Sequence, residues 1–275
     1  MSAPAPPVRP KVRVTIGQIA VGGDHGVNRE VIEDVIDTAG RVHADLVVLP
    51  EYAIGFNRAG VGLEHAEPLD GPFVTMLRER AARARVAVIA GAVLPADDDP
   101  KRAVNAVVAV DARGSIAGVY RKVHLYDAFG YRESETLRPG PADAAPLVLP
   151  VAGLRFGVLT CYDLRFPESA RRCVDAGANA LVVPAAWADG PQKAEHWRAL
   201  AVARAIENTS VVVAVGMAGK GVTGRSLVVD PDGVVALEFD EKPGVRTVDL
   251  DPDRLGAVRE ANPSLANRRY RVVPA

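Results

Sequence analysis

The sequence predicts an α/β fold in which mixed β-sheets are covered by helices. Short, continuous apolar runs such as 45–50 (DLVVLP) and 179–184 (NALVVP) are typical of strands buried on both faces. Helical stretches alternate with strands in some regions, whereas strands follow one another directly in others. A doubly wound parallel sheet places a helix after each strand, so this pattern favours mixed sheets instead.

In the first half of the chain, strands surround two helices. Alternating apolar residues predict a strand over 12–19, and apolar positions on one face predict a helix over 28–42. A second helix is predicted over 72–84. Further strands are predicted over 45–50, 86–93, 105–110 and 115–122.

The second half has a similar succession of strands and helices. Its Pro231-Asp232-Gly233 has the residues typical of a hairpin turn. Strands are predicted over 155–160, 179–184, 210–216, 225–230 and 245–250. Helices are predicted over 167–176, 193–208 and 252–260. No linker-like stretch divides the middle of the chain. We therefore expect one domain over 11–260, preceded by a disordered leader over 1–10 and followed by a polar tail over 261–275.

Composition and charge exclude several classes of function. Of the 275 residues, 48% are apolar, which is enough to bury a sizeable core. A net charge of -1 with both signs mixed gives no basic footprint for nucleic acid or a membrane surface. No apolar run approaches the length of about 18 residues that spans a membrane, and the N-terminus lacks a secretory signal. We expect a cytoplasmic protein with a small-molecule partner.

The two cysteines, Cys161 and Cys173, are too few for a disulfide framework in a chain of this length. At least one is therefore free for chemistry. The histidines are scattered, and no CxxC, HExxH or carboxylate cluster indicates a metal site. We expect neither a metal nor an organic cofactor.

A glycine-rich stretch over 219–224 (GKGVTG) fits a GxGxxG pattern and, extended to Ser226, nearly fits a P-loop. Both motifs hold phosphates at the N-terminus of a helix that begins at the loop. Here the following residues, SLVVDPDG, form a strand and a turn, and Arg225 stands where a P-loop has lysine. We interpret the stretch as a loop between two strands rather than a nucleotide site.

Cys161 is the strongest candidate nucleophile. It lies between the strand RFGVLT and a helical segment, so we expect an exposed thiol at the sheet edge, with the Tyr162 N–H able to hold an oxyanion. Cys173 lies among apolar residues of a helix, as buried structural cysteines do. A lone cysteine is more often structural than catalytic, so both roles stay open for Cys161 at this point.

Three polar residues are candidates to assist this thiol. Glu51 directly follows a buried strand, where open α/β sheets build their sites, although a solvated loop residue is the alternative. Lys122 ends a predicted strand on a face shared with Tyr120 and His124, and on its own is typical of a surface lysine. His124 supports a different hypothesis, a Cys–His pair in which the imidazole activates Cys161.

Three segments resemble the catalytic segments of the nitrilase superfamily, the carbon–nitrogen hydrolases. They are LPEYA (49–53), YRKVHLYD (120–127) and LTCYDLRFPE (159–168), in the order that the family has them. Supporting matches are YRESETLRPG (131–140), PAAW (184–187), HWRALAVARAIENT (196–209) and SLVVDPDGVV (226–235). The spelling CYDLRFPE is most similar to the branch of omega-amidases and deaminated-glutathione amidases.

The resemblance implies a four-layer α-β-β-α sandwich and a triad of Glu51, Lys122 and Cys161. It implies that Glu133 orients the lysine and positions substrate. It also implies at least a homodimer, for which the tail 261–275 is a candidate interface. Tyr162 is the candidate oxyanion donor, and the candidate pocket walls are Tyr52, Tyr126 and Trp187.

The expected reaction converts a small-molecule amide into a carboxylic acid and ammonia or an amine, through a thioester on Cys161. Glu51 is expected to act as general acid and base, and Lys122 to favour the thiolate and stabilise the oxyanion. Alternatives are hydrolysis of N-carbamoyl compounds or nitriles, acyl transfer to an amine, and a catalytically silent binding protein of the same fold. The 219–224 loop lacks an aromatic residue that often precedes SLVVDP in this branch, which leaves the substrate open.

Overall fold

The computed structural model describes residues 11–274, so the predicted leader over 1–10 lies outside the described residues. The described strands are β1 (Val12–Gln18), β2 (Leu46–Val48), β3 (Ala87–Pro95), β4 (Ala103–Val110), β5 (Ile116–Arg121), β6 (Asp127–Ala128), β7 (Tyr131–Arg132), β8 (Val148–Val151), β9 (Leu154–Val158), β10 (Ala180–Ala185), β11 (Val211–Gly216), β12 (Leu227–Val229), β13 (Val235–Glu238) and β14 (Gly244–Leu250). The described α-helices are α1 (His25–Arg41), α2 (Pro72–Ala84), α3 (Pro167–Asp175), α4 (Lys193–Asn208) and α5 (Pro252–Ala261).

Two six-stranded sheets form the centre of the structure. The first has the order β14-β1-β2-β3-β4-β5, and the second has the order β13-β12-β11-β10-β9-β8. In each sheet three neighbouring central strands are parallel, and the flanking strands pair antiparallel. The prediction of mixed sheets is therefore confirmed.

Helices cover the outer face of each sheet. Ile36 of α1 and Leu77 of α2 are buried against the first sheet, and Trp197 of α4 is buried against the second. The inner faces pack on each other, where Ile16 of β1 and Phe156 of β9 belong to one buried cluster. This gives the layer order α-β-β-α, which confirms the predicted sandwich.

Local chemistry sets the helix ends. Asp24 accepts hydrogen bonds from the Gly26 and Val27 N–H groups, so α1 begins at His25, three residues before the predicted start. Pro72 opens α2, where a missing N–H is tolerated and a φ near the helical value is already fixed. Helices α2 and α4 have the predicted bounds.

Several short elements differ from the predictions. Strand β8 and the two-residue strands of the β6–β7 hairpin were not predicted, because such short pairs carry little periodic signal. Strand β5 ends at Arg121, so Lys122 is the first residue after the strand rather than its last. Strand β12 follows the 219–224 loop without an intervening helix, as predicted.

None of the helices within residues 11–274 combines the length and the apolar character needed to cross a bilayer.

The sandwich gathers polar residues at one end. Strand β2 of the first sheet ends shortly before Glu51, and strand β9 of the second ends shortly before Cys161. Lys122 follows β5 and donates its backbone N–H to the Asn105 carbonyl, which ties it to β4. The strand ends of the two sheets therefore deliver these residues to a shared site.

Gly91 of β3 allows the backbone that carries Glu51 to approach the sheet. Its N–H donates to the Pro50 carbonyl at 3.0 Å, and its carbonyl accepts from the Ala53 N–H at 3.1 Å. A Cβ atom at position 91 would lie 2.4 Å from the Glu51 Cα and 2.6 Å from the Pro50 oxygen. Only a residue without a side chain fits this contact.

We expect Gly91→Ala to lower the free energy of unfolding by about 1–3 kcal/mol, since the added methyl must displace backbone. The matched control is Gly256→Ala in α5, where a Cβ meets no atom within 4 Å. That change should raise the free energy of unfolding by roughly 0.5–1 kcal/mol through helix propensity. Urea unfolding curves compare the two variants, and equal midpoints would contradict the close approach at Gly91.

Candidate active site

A cavity of about 280 Å³ lies at the end of the sandwich where these strands finish. The cavity joins residues that are 71 and 39 positions apart in sequence, counted from Glu51 to Lys122 and from Lys122 to Cys161. Every site residue expected from the sequence lines it, namely Glu51, Tyr52, Lys122, Tyr126, Glu133, Cys161, Tyr162 and Trp187. Their chemical roles stay predictions.

Lys122 lies between two carboxylates at the base of the cavity. Its Nζ atom is 2.9 Å from Glu51 Oε1 and 2.9 Å from Glu133 Oε2. All three side chains are buried. The group therefore combines one positive and two negative charges with almost no access to water.

Asn105 of β4 is a member of this group that sequence reasoning missed. Its Nδ2 atom donates to Glu51 Oε1 at 2.7 Å and to Glu133 Oε1 at 3.0 Å. The side chain is fully buried. The sequence feature that could have revealed Asn105 is its position at the start of the apolar strand NAVVAV. Burying an amide in such a strand is unfavourable unless the amide has polar partners.

Opposite charges decide the protonation of this group. Burial alone would lower the pKa of Lys122, but Glu133 and Glu51 raise it well above its ordinary value. Burial alone would raise the pKa of Glu133, but Lys122 and the hydroxyl of Tyr52 lower it. Lys122 is therefore an ammonium and Glu133 a carboxylate at neutral pH.

The second oxygen of Glu51 is held by a backbone N–H of the other sheet. Glu51 Oε2 accepts the backbone N–H of Ala186, just after β10, at 2.7 Å. The negative charge of Glu51 raises the pKa of the Cys161 thiol, which lines the same cavity. Both oxygens of Glu51 are thus held in this cavity, one by Lys122 and Asn105 and the other by the Ala186 N–H.

The structure corrects one expectation about Cys161, its exposure. The residue is only 8% exposed, because the cavity walls enclose it, whereas the sequence predicted an exposed thiol. Burial and the negative charge of Glu51 raise its pKa well above the ordinary value, and the opposing effect of Lys122 does not overcome them. The resting side chain is therefore a thiol, and Lys122 acts on it in the expected direction, towards the thiolate.

Backbone geometry presents this thiol. Cys161 has a φ of 46°, in the left-handed region that non-glycine residues adopt only at a cost in energy. It begins a short 3₁₀ helix, Cys161–Arg165, in which the N–H of Tyr162 has no intrahelical acceptor. That N–H is available to an oxygen atom bound beside the sulfur.

Asp163 fixes the turn that carries Cys161, and sequence reasoning missed it. Its buried carboxylate accepts the Thr160 N–H at 3.1 Å, the Tyr120 hydroxyl at 2.7 Å and the His124 side chain at 2.8 Å. The signal was the capping-box spacing of Thr160 and Asp163.

His124 therefore serves the turn rather than the thiol. Its ring stacks on Phe166 and faces a separate cavity with Ser169 and Cys173. The expected shared face of Lys122, Tyr120 and His124 is wrong, because the strand ends before Lys122 and the lysine turns towards Glu51.

Cys173 has the surroundings of a structural cysteine. It is buried in α3, and its Sγ lies 3.7 Å from the Val158 carbonyl oxygen. Burial raises its pKa to about 12. Both cysteines are free thiols.

Aromatic side chains form the walls of the cavity. The Tyr52 hydroxyl donates to Glu133, and the Tyr126 N–H donates to Glu133 Oε2. The Tyr162 ring packs edge-on against Tyr126. Trp187 is fixed by its indole N–H, which donates to the Lys193 carbonyl at 2.9 Å.

Besides Arg58, which lies 3.9 Å from Asp189, two further cations border the cavity, and neither was predicted. Lys193 Nζ donates to the Tyr126 hydroxyl at 2.9 Å and lies 3.4 Å from the centroid of the Phe129 ring. The Arg165 guanidinium lies over the Trp187 ring at 4.9 Å. Burial and the charge of Arg165 lower the pKa of Lys193. Within residues 11–274 no carboxylate forms an ion pair with either cation, so both can attract an anionic group in the cavity.

A metal site is not found in the part of the chain that the structure describes, where no group of three or more His, Cys, Asp and Glu residues is arranged to hold an ion.

Comparison with known proteins agrees with this geometry. Residues 13–260 match the carbon–nitrogen hydrolase family. The chain belongs to the carbon–nitrogen hydrolase family. It is 38% identical over 259 residues to the deaminated glutathione amidase of Escherichia coli O157:H7, and the alignment covers 94% of this chain and 97% of that protein.

Solved structures give the same result for this carbon–nitrogen hydrolase. Nit3 of Saccharomyces cerevisiae, a member of branch 10 of the nitrilase superfamily, superimposes with a TM-score of 0.82 at 27% identity, over 96% of this chain and 98% of that one. An amidase from Nesterenkonia sp. AN1, whose active-site cysteine carries the product of Michael addition of acrylamide, gives 0.76 at 28% identity, over 93% and 98%. The protein is thus an enzyme that hydrolyses carbon–nitrogen bonds other than peptide bonds, with amidases among its relatives.

The thiol of Cys161 should titrate above the ordinary cysteine pKa of about 8.5, because of burial and Glu51. In Glu51→Gln the negative charge is gone while Lys122 remains, so the thiolate should form at a lower pH than in the unmodified protein. The ultraviolet absorbance of the thiolate, followed against pH in a Cys173→Ser background, measures this directly. A midpoint that stays the same or rises in Glu51→Gln would contradict the electrostatic account.

Proposed function

We propose that this enzyme hydrolyses a small-molecule amide to a carboxylic acid and ammonia or an amine, through a thioester on Cys161. The observation that carries the proposal is that Cys161 and Glu51 line the same cavity, where the Glu51 carboxylate accepts from the Lys122 ammonium at 2.9 Å. A thiol beside an ionised base, with an ammonium next to both, has the parts required for nucleophilic attack.

Acylation begins when the amide carbonyl enters beside the sulfur. The S–C bond forms as Glu51 accepts the thiol proton, and the carbonyl oxygen becomes an oxyanion. Protonated Glu51 then transfers that proton to the nitrogen, the C–N bond breaks, and ammonia or an amine leaves. Cys161 retains the acyl group as a thioester.

Lys122 and the Tyr162 N–H are the proposed donors to the oxyanion, each contributing an effect of about 2.7–4 kcal/mol if it resembles known donors. In the resting site the Lys122 ammonium is directed at Glu51 and Glu133. Once Glu51 takes the thiol proton, its oxygen accepts less strongly. Lys122 is then freed towards the oxyanion at the moment when that charge develops.

Deacylation repeats the chemistry with water. Glu51, ionised again, removes a proton from a water molecule that attacks the thioester. The S–C bond breaks, the carboxylic acid leaves, and the proton returns to the sulfur. Glu133 stays a carboxylate throughout. It orients Lys122 and accepts hydrogen bonds from the cavity wall.

We propose further that the substrate carries an anionic group. Lys193 and Arg165 provide positive charge at the cavity without carboxylate ion-pair partners among the described residues. An anion there would direct the amide end of the molecule towards Cys161. Deaminated glutathione is the first candidate, since relatives that are 38% and 34% identical to the chain are deaminated glutathione amidases.

The domain boundaries, assembly and location complete the proposal. The catalytic unit is a domain over 11–260, and it assembles at least as a homodimer, which light scattering of the purified protein tests. We place it in the cytoplasm, where thiols are kept reduced, since both cysteines are free.

Loss of the proposed nucleophile or base should abolish turnover. We expect Cys161→Ala and Glu51→Gln each to reduce kcat by about 10⁴-fold or more, as for other covalent hydrolases. Ammonia release is measured with deaminated glutathione, other ω-amides, N-carbamoyl compounds and nitriles. If Glu51→Gln stayed active and His124→Ala did not, a Cys–His mechanism would replace this one. If the enzyme turned over only N-carbamoyl compounds or only nitriles, those compounds would replace amides as the proposed substrate class.

Removal of the Lys193 charge should affect anionic substrates selectively. We expect Lys193→Gln to raise KM roughly ten- to hundredfold for an amide that carries a carboxylate, the effect of one charged hydrogen bond. The KM for a neutral amide of similar size should change less than about threefold. Arg198→Gln is the matched control, because Arg198 lies on the same helix but pairs with Glu238 at the surface. An equal change for both substrates would refute a carboxylate role.

A further inference from the structure

The loop over residues 51–58 supplies one side of the cavity and rests on a buried histidine. Glu51, Phe56 and Arg58 from this loop line the cavity. Beneath it lies His65, which is 2% exposed. A Cβ atom on Gly55 would be 2.3 Å from the His65 Nδ1, so the imidazole lies directly against the loop backbone.

Four side chains form a continuous line of hydrogen bonds from this loop to the helix layer. Asn57 Nδ2 lies 3.0 Å from His65 Nε2, and His65 Nδ1 lies 2.9 Å from His25 Nε2. His25 Nδ1 lies 3.2 Å from Glu67 Oε1. We call Asn57, His65, His25 and Glu67 the relay.

The chemistry of its two ends gives the relay one direction. A carboxylate only accepts, so the Nδ1 of neutral His25 must carry its proton towards Glu67 and leave Nε2 as an acceptor. His65 must then donate from Nδ1 and accept at Nε2. The Asn57 amide supplies the required N–H at that position. The donors and acceptors at both ends of the relay are therefore satisfied when the two histidines are neutral and each is protonated at Nδ1.

We propose that the relay positions the 51–58 loop for substrate, and that one added proton reverses the relay and disturbs this side of the cavity. A proton on His25 Nε2 would face the His65 Nδ1–H, two donors in contact. The conflict is relieved only if His65 shifts its proton to Nε2. The Asn57 amide, which lines the cavity, must then turn over to present its oxygen to His65.

The surroundings of the pair favour the neutral state. Burial lowers the pKa of His65, His25 lowers it further, and Glu64 acts in the opposite sense. Glu67 and Arg29 are the other charged groups in contact, since Glu67 also lies 3.6 Å from Arg29. A histidine whose pKa falls on folding contributes stability above its unfolded pKa of about 6.5, and this stability is lost as the pH falls. Acidification should therefore loosen the loop.

The expected kinetic effect is on KM rather than kcat. Glu51 is held independently by Lys122, Asn105 and the Ala186 N–H, so the base keeps its place when the relay breaks. Asn57 is held by the relay and by its carbonyl, which accepts the Gly60 N–H at 3.0 Å, so the relay carries a large share of its positioning. This inference rests on the proposed function for its kinetic test, but not for its spectroscopic test.

The spectroscopic test uses the unmodified protein labelled with ¹⁵N-histidine. Long-range ¹H–¹⁵N correlation spectra assign the protonated nitrogen of each imidazole, with His25→Gln identifying the signals. At neutral pH we expect His25 and His65 to be protonated at Nδ1 only, which is the less common tautomer of a free histidine side chain. A proton on Nε2 of His65 at neutral pH would overturn the proposal, whatever the enzyme hydrolyses.

The kinetic test compares two substitutions at position 25. The side-chain amide introduced by His25→Gln cannot gain a proton, yet its oxygen can accept from His65 and its N–H can donate to Glu67. We therefore expect His25→Gln to keep the neutral-pH KM and to lose most of the rise in KM that the unmodified enzyme shows as the pH is lowered from neutral. His25→Ala should raise KM roughly three- to tenfold at neutral pH, as the loss of a buried hydrogen bond does, with a smaller change in kcat.

Exposed His43 gives the matched control, since His43→Asn should leave the pH profile unchanged. Thermal unfolding confirms that each variant is folded before its kinetics are compared. If KM rose equally at low pH in the unmodified enzyme and in His25→Gln, the proposed effect of protonation on the relay would be overturned. If folded His25→Ala had an unchanged KM at neutral pH, the proposal that the relay positions the loop would be overturned. A protein that hydrolyses none of the test amides would instead overturn the proposed function, and the spectra would still decide the relay.

Discussion

Glu51, Lys122 and Glu133 form a charge cluster that is shielded from water and carries a net negative charge. Removing ions from water costs free energy, and only good geometry with added hydrogen bonds offsets this desolvation penalty. Asn105, Tyr52 and the Ala186 N–H supply those bonds from different strands and loops. The position of each contributing strand end is therefore tied to the others, and the loss of one charge would leave its neighbours buried and uncompensated.

The distribution of charge across the cavity follows from this cluster. Burial and the negative charge of Glu51 raise the pKa of the Cys161 thiol, so the sulfur is protonated in the resting site. The positive charges of Lys193 and Arg165 lie at the wall, on aromatic faces that hold them in place. A molecule with an anion at one end and an amide at the other is complementary to both regions in a single orientation, and such complementarity gives specificity more than affinity.

The parts predictable from sequence are those that depend on local pattern. Helices α2 and α4 have long, periodic apolar faces, and their bounds agree with the prediction. The members of the expected triad were recognisable because each lies in a distinctive segment. Asn105, Asp163 and Lys193 were not, since their importance comes from partners distant in the chain, and the protonation of Cys161 depends on burial that no spacing reveals. The direction of Lys122 was mispredicted because one residue at a strand end decides which way a side chain faces.

The left-handed backbone at Cys161 places folding and function in competition at one position. A glycine there would relieve the strain and lose the sulfur, whereas any other side chain keeps the strain without chemical benefit. The four hydrogen bonds received by Asp163, from Thr160, Tyr120 and both the backbone and ring of His124, hold the turn in this conformation before substrate arrives. In the proposed mechanism, the reorganisation that attack by the sulfur would otherwise require is thus completed during folding. Selection for thermal stability alone would favour glycine at this position, and selection for the proposed turnover keeps cysteine.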